Sequence, residues 1–184
     1  MQNEDQEILE KFKQESTRQL GFNLLIRKYQ KRVYWLARKM VIDHDDANDI
    51  AQEVFIKIWF HLEEFRSESG LFTWIYRIAS NECLRVLKKK RQRFFLPIGD
   101  VEAELIGKVE SGHHFDGDEI QKKLQLAILQ LPEKQRLVFN MKYFEEITYE
   151  EMSTILGTSV GALKASYHHA VHKIQKHLEI QERI

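Results

Sequence analysis

The chain has 184 residues with 28 basic and 28 acidic side chains, so its formal net charge is zero and a uniformly polybasic coat for nucleic acid is excluded. One cysteine, Cys83, cannot close an internal disulfide and points to a reducing, cytoplasmic compartment. No apolar run reaches a membrane span, and the start MQNEDQEILE lacks a basic segment followed by an apolar one, so neither membrane insertion nor a secretory signal is expected.

Glycine and proline are scarce, at eight and two, and apolar residues recur at helical spacing throughout, so the fold class is all-α. Residues 4–20 read as a charged amphipathic helix with Ile8, Leu9 and Phe12 on its apolar side, ended by Gly21. A second helix over 22–40 carries Phe22, Leu25, Ile26, Tyr29, Val33, Leu36 and Ala37 on one face. A third, over 45–64, opens behind Asp43 and Asp45, where carboxylates favour a helix N-terminus. Its core side is Ala47, Ala51, Val54, Phe55, Ile58 and Leu62. The outer side collects Asp46, Asp49, Gln52, Glu53, Ile56 and Phe60. An acidic face broken by a bulky isoleucine and a phenylalanine suits docking on another protein better than plain solvation. A metal-binding carboxylate cluster is the weaker reading, since no histidine joins it.

Residues 65–93 reverse the sign. Eight cations from Arg66 to Arg93 stand against Glu68 and Glu82, a net of +6, directly after a segment, 43–64, of net −6. Neighbouring elements of opposite charge suggest two different partners. After the polar loop Phe65, Arg66, Ser67, Glu68 and Ser69, a helix from about Phe72 puts Phe72, Ile75, Tyr76, Ala79, Cys83, Val86 and Leu87 on its core side. Its opposite arc holds Trp74, Arg77, Asn81, Arg85 and Lys88. A tryptophan among arginines with an amide nearby fits a single-strand reader, because bases stack on aromatics while cations hold the backbone. A solvated basic face with one stray tryptophan is the other reading.

Pro97, Gly99, Gly107, Gly112 and Gly117 punctuate residues 94–117, which read as a flexible linker, with a transient helical turn near 101–109 and with His113 and His114 as linker residues. A second helical domain spans 118–184 after a first of 1–93. Its first helix, 118–130, buries Ile120, Leu124, Ala127, Ile128 and Leu131. Pro132 opens the next, to about Phe144, with Leu137, Val138 and Met141 inside. Thr148 and Glu151 form a capping-box pattern for a short helix to Leu156, Gly157 makes the turn, and Ser159 caps a last helix from Val160 to about Glu179. That helix buries Val160, Leu163, Tyr167, Ala170, Val171 and Ile174. It exposes Gly161, Lys164, Ala165, His168, His169 and His172. Helix, tight turn, helix is the helix-turn-helix pattern, whose small residues permit close approach to a groove floor; an ordinary helical hairpin shares it. His168 and His172 alone do not make a metal site, so no metal or cofactor is expected.

Order, spacing and motifs together resemble the extracytoplasmic-function group of bacterial RNA polymerase sigma factors, of the sigma-70 family. DANDIAQEVFIKIWFHLEEF is similar to the core-polymerase-binding region. FRSESGLFTWIYRIASNECLRVLKKKR is similar to the region that melts the promoter and reads its −10 element. The stretch from LPEKQRLVF to HHAVHKI resembles the region whose helix-turn-helix reads the −35 element. The resemblance implies that Asp46, Asp49, Gln52, Glu53, Ile56 and Phe60 dock on core polymerase. It implies that the 65–71 loop holds a flipped base while Trp74, Arg77, Asn81, Arg85 and Lys88 hold its neighbours. Thr148, Ser159, Gly161, Lys164, Ala165, His168, His169 and His172 would then meet −35 duplex DNA. An anti-sigma protein is an implied partner. Where the family usually has arginines on the recognition helix, Ser166 and His169 stand here, which weakens phosphate anchoring or ties it to histidine protonation. No nucleophile with a paired base and no phosphate-cradling glycine loop is present, so no catalysis is expected. A stand-alone helix-turn-helix regulator and a helical adaptor are rivals that each leave a charged face unexplained, and a nuclease, the enzyme-class rival, lacks a convincing carboxylate–metal constellation.

Overall fold

The computed structural model describes residues 2–93, 105–107, 109 and 119–181. They form the helices α1 (Gln2–Lys13), α2 (Arg18–Val41), α3 (His44–His61), α4 (Leu71–Arg93), α5 (Glu119–Leu129), α6 (Glu133–Tyr143), α7 (Tyr149–Leu156) and α8 (Val160–Gln181), with single 3-10 turns at Glu15–Thr17 and Leu62–Glu64. Among the described residues there is no strand. Pro97, Gly99, Gly112, Gly117, His113 and His114 of the expected linker lie outside the described residues. Residues 105–107 and 109 are helical, and Leu105 and Val109 are buried with the N-terminal helices.

Gly21 does not end a helix. The break falls at Gln14 to Thr17, and Gly21 lies inside α2, buried where α1 crosses it. A Cβ there would stand 2.6 Å from the Phe12 nitrogen and 2.9 Å from the Ile8 carbonyl oxygen, so the missing side chain serves close helix approach rather than chain reversal. The crossing brings Phe12 edge-on to Trp59 at 5.4 Å between ring centroids, and Phe22 to the same ring at 4.8 Å.

Asp43 caps α3, its Oδ1 accepting from the Asp45 and Asp46 amides at 2.9 and 3.0 Å. Inside α3 the buried set is Ala47, Ile50, Val54 and Ile58; Ala51 and Phe55, expected in the core, are only half-buried. In α4 Ile75, Tyr76, Ala79, Cys83 and Leu87 of the expected arc are buried, while Phe72 and Val86 are only half-buried against the core. Burial pushes the Cys83 thiol up to about 12, so it behaves as a small core residue rather than a reactive one.

In the C-terminal helices Ile120 is 77% exposed, not buried; it lies in the first turn of α5, whose buried residues begin only at Gln125. Pro132 sits at the N-cap of α6, one residue before the first turn where it was expected. Ala127, Ile128, Leu131, Phe139, Ala170 and Ile174 form a core of their own beneath α8.

The two halves share a further apolar cluster. Leu129, Leu137, Val138, Met141, Ile147, Met152 and Ile155 belong to the same buried set as the cores of α2 and α4. Polar groups lock this contact. Arg136, on an otherwise apolar turn of α6, is fully buried, and its guanidinium donates to the carbonyls of Met40 at 3.2 Å, Leu131 at 3.4 Å and Leu129 at 3.5 Å. The Met40 carbonyl belongs to the last turn of α2, where orphan acceptors need donors.

Gly21→Ala should therefore lower the free energy of unfolding by about 2 kcal/mol or more, because helix backbone rather than a flexible side chain obstructs the new methyl group. Urea unfolding followed by circular dichroism reads the loss; an unchanged midpoint would show that α1 does not need the close crossing.

Candidate polymerase and nucleic-acid interfaces

The outer face of α3 is where the spacing put it. Asp49 and Gln52 are exposed, Ile56 is 50% exposed and Phe60 70%. Two aliphatic or aromatic side chains of that exposure beside a carboxylate are chemically suited to contact with another protein. The face continues into a groove between α2 and α3 of about 710 Å³, walled by Ile26, Tyr34, Ala51 and Phe55 and bordered by Gln52 and Ile56.

Part of the opposite charge on α3 and α4 is spent between them. Lys90 of α4 donates to Asp46, which is half-buried, and Lys57 of α3 donates to Glu82. Glu82 also accepts from Arg85 Nε at 2.9 Å and from the same guanidinium's Nη2. The two partners suggested by the charge reversal are thus in part each other. Glu82 was counted as one more surface charge, yet its side chain is only 2% exposed. Its spacing from Ile75, Ala79 and Val86, seven, three and four residues away, sets it on the core arc and was the available signal. Burial disfavours the Glu82 carboxylate, but the hydrogen bonds from Arg85 and Lys57 outweigh it and hold the group below its ordinary value near 4.5. Glu53 pairs with Lys57 at 3.7 Å across one turn.

The loop before α4 and the basic arc meet as expected. Phe65 and Trp74 lie 5.3 Å apart between ring centroids, both half-buried, and the first-turn amide of Trp74 donates to the Gly70 carbonyl at 3.1 Å. Ser67 holds a left-handed backbone, φ 58°, which turns the loop back over the helix. Phe65, Arg66, Glu68, Ser69, Trp74 and Arg77 line a concavity of about 400 Å³. An aromatic wall, a mobile-ended cation and hydroxyl groups around a space of that size suit a planar base with its phosphate. Asn81, Arg85 and Lys88 are exposed further along the helix. Thr154 of α7 completes the rim of the concavity, and its carbonyl accepts from Arg77 Nη2 at 2.6 Å. No sequence signal marks that contact.

The helix-turn-helix is α7 and α8. Thr148 accepts from the Glu151 amide at 3.2 Å while the Glu151 carboxylate accepts from the Thr148 amide at 3.0 Å, a complete capping box. Gly157 ends α7 in the left-handed conformation, φ 63°, and Ser159 Oγ accepts from the Ala162 amide at 3.3 Å. The hydroxyls of Thr148 and Ser159 are therefore engaged in building the motif. Gly161, Lys164, Ala165, His168, His169 and His172 are all exposed along α8, with the His168 and His169 rings 6.0 Å apart. Among the described residues no group of three or more possible ligands converges on a metal.

Above the concavity, Glu145 joins the halves. It follows α6 with only 11% of its side chain exposed, and Tyr76 donates to its Oε2 at 2.9 Å. Arg32 Nε reaches the same oxygen at 3.4 Å, and Lys39 Nζ lies 3.6 Å from the other. Burial and the adjacent Glu145 charge raise the Tyr76 phenol, which stays a donor. Glu145 and Arg136 escaped the sequence reading because nothing local distinguishes them from surface charges.

Two helical units, one with an exposed acidic and apolar helix and an aromatic, cationic concavity, the other a helix-turn-helix, define a promoter-recognising transcription initiation factor. Residues 25–93 match the family model for sigma-70 region 2, and residues 121–174 match that for sigma-70 region 4. The chain is 33% identical to RNA polymerase sigma-H factor of Pseudomonas aeruginosa, over 97% of this chain and 95% of that protein. It is 30% identical to the ECF RNA polymerase sigma-E factor of Haemophilus influenzae, with 95% of each covered. In fold it is similar to CnrH in complex with the cytosolic domain of CnrY, with a TM-score of 0.69, 20% identity and coverage of 96% of this chain and 98% of that one. It is likewise similar to the sigma factor RpoE of Bartonella quintana in complex with the anti-sigma factor NepR, with a TM-score of 0.66, 19% identity and coverage of 86% and 97%. The chain belongs to the sigma-70 family of RNA polymerase sigma factors, in its extracytoplasmic-function group.

Glu82→Gln should lower the melting temperature at neutral pH, since it leaves two cations facing a neutral amide. A carboxylate whose folded value is lowered stabilises the fold above its ordinary value and loses that contribution as pH falls through the lowered one. The gap between wild type and variant should thus close as the pH is taken below about 4. A gap independent of pH, in thermal melts from acid to neutral, would mean that packing rather than charge holds Glu82.

Proposed function

We propose that this chain docks on core RNA polymerase through Asp46, Asp49, Gln52, Glu53, Ile56 and Phe60, and that the complex reads a promoter at two places. The exposed apolar residues amid carboxylates on α3, Ile56 and Phe60, carry this reading, since duplex binding alone has no use for them. The 65–71 loop with Trp74, Arg77, Asn81, Arg85 and Lys88 holds unpaired non-template bases of the −10 element. The exposed arc of α8 from Gly161 to His172 meets the −35 duplex. Extruding a base costs a few kcal/mol, which stacking at about 1–3 kcal/mol per base and phosphate contacts offset. Residues 1–93 and 118–184 act as two units on a linker, 94–117. The protein works in the cytoplasm, itself catalyses no covalent step, and is held inactive by an anti-sigma protein, a reading supported by its likeness in fold to a sigma factor solved in complex with an anti-sigma factor.

Geometry adds a requirement. The two promoter elements lie roughly 25 base pairs apart, about 85 Å of duplex at about 3.4 Å per step. A compact chain of 184 residues has a radius of gyration of only about 16 Å. The packed arrangement therefore cannot touch both elements, and on promoter DNA the contacts of Glu145, Arg136 and Arg77 with the opposite half must open.

Transcription in vitro with purified core polymerase is the test. Promoter-dependent initiation is expected on adding the protein, and duplex binding without any initiation would instead indicate a stand-alone regulator. Asp49→Lys with Glu53→Lys should weaken core binding by about tenfold or more, read by co-purification, because two attractive carboxylates become repulsive. Trp74→Ala with Arg77→Ala should leave core binding intact and reduce permanganate reactivity of unpaired thymines at the promoter; equal reactivity would remove these residues from the melting step.

A further inference from the structure

The second helix of the helix-turn-helix, α8, carries no arginine. Its fixed cations are Lys164, Lys173 and Lys176 against Glu179, a net of +2, and it holds four histidines, His168, His169, His172 and His177. Two of the lysines are engaged within the fold: Lys164 lies 5.7 Å from the centre of the Tyr149 ring, and Lys173 donates to the Gln135 side chain at 3.1 Å. Lys164, His168, His172 and Lys176 stand every fourth residue and all are exposed. They form one ridge of about 18 Å along the helix, with His169 exposed beside it.

Nothing in the fold neutralises these three histidines. Among the described residues none of His168, His169 and His172 has a hydrogen bond or an ion pair; His168 and His169 only lie ring to ring. Three helices pack against α8. From α7, Tyr149 stands edge-on to Tyr167, and Glu151 is held in the capping box while Glu150 is exposed. From α6, Gln135 meets Lys173, Glu133 pairs with Arg91, Arg136 is buried, and Lys142 lies over the Tyr149 ring. From α5, Ala127 and Ile128 fill the core beneath α8. Neither these charges nor Lys134 on α6 and Glu119, Lys122 and Lys123 on α5 are bonded to the three rings. Their charged neighbours are those of the ridge itself, and like charges one turn apart repel, so a free ridge resists full protonation.

We infer that α8 grips duplex phosphates through His168, His169 and His172 as imidazolium, so that −35 capture takes up protons and strengthens as the pH falls. This rests on the reading of α8 as the helix that meets the duplex. A neutral imidazole offers a phosphate one N–H and no charge, whereas imidazolium donates from both nitrogens. Protonating the three takes the net charge of α8 from +2 to +5. Duplex DNA carries one negative charge per about 1.7 Å of axis, so a ridge of this length lies against several phosphates at once, and their field favours the charged rings. The bound state therefore holds more protons than the free one around the ordinary histidine value of about 6.5. By linkage, affinity is full below that value and is lost as the pH rises through the value raised in the complex.

The probe is a duplex enriched from a random-sequence pool by the full chain at about pH 6, its binding then followed by fluorescence anisotropy up to about pH 8. Affinity should fall about tenfold or more over that range, and the slope of log affinity against log salt should be steeper at the acid end by about 2–3, one phosphate contact per histidine. His168→Gln, His169→Gln and His172→Gln together should flatten both trends, although His44, His61 and His177 remain. His169→Arg with His172→Arg should keep binding tight at the alkaline end; all these positions are exposed, so the core is untouched. A flat wild-type profile, an unchanged profile in the glutamine or the arginine variant, or failure to enrich any duplex would each overturn the inference. So would a pH dependence abolished by EDTA, which would assign it to a trace metal on the histidines. Proton-linked duplex binding by a chain that gives no initiation with core polymerase would leave the inference standing and sink the polymerase reading; flat binding with normal initiation would do the reverse.

Discussion

The arrangement depends on one buried carboxylate. Glu145 leaves water at the end of α6 and is repaid only because Arg32, Lys39 and the Tyr76 hydroxyl converge on it from the opposite half. Desolvating a charge is tolerable only with such pairing, and removing one partner costs more than the pair contributes. The Arg32 guanidinium also lies 4.5 Å over the Phe72 ring, so the same cation ties the carboxylate to the start of the basic helix. A contact of this kind is selective for one register of the two halves. It is also exchangeable, since each of its groups can return to water or to phosphate when the halves separate.

The same economy governs α3 and α4. Some of their charge is internal: Lys57 and Arg85 on Glu82, and Lys90 on Asp46, fasten the helices together. What remains exposed is Asp49 on α3, Arg77 and Lys88 on α4, and Arg66 in the loop before it. Arg85 serves both ends, paired with Glu82 yet half exposed. In the packed state Arg77 is also engaged, by the Thr154 carbonyl at the rim of the aromatic concavity. If the halves part, as proposed for promoter binding, Arg77 loses the Thr154 carbonyl and the concavity loses that part of its rim.

Local physics made much of this legible. The capping box of Thr148 and Glu151, the left-handed Gly157 and the serine cap at Ser159 are set by neighbours within a few residues, so α7 and α8 stood where spacing put them. The apolar arcs of α2 and α4 and the exposed residues of α3 and α8 follow from helical periodicity alone. Gly21 was misread because a glycine that ends a helix and one that admits a crossing helix look the same in one dimension. Ile120 was misread because periodicity marks a face without saying whether anything covers it.

The sequence by itself determined the helices, an acidic helix with exposed apolar residues, a basic aromatic helix and the helix-turn-helix pattern, since each is written in residues less than about two turns apart, and the order of these elements carries the resemblance to the sigma-70 family. Only the tertiary structure decided what the lone charges do. Glu82, Arg136 and Glu145 are ordinary polar residues in the sequence and become buried fasteners because their partners lie 25, 96 and 69 to 113 residues away. It alone also decided that the halves pack against each other through a shared apolar cluster. Burial and pairing over such separations are properties of the folded packing, and no local rule contains them.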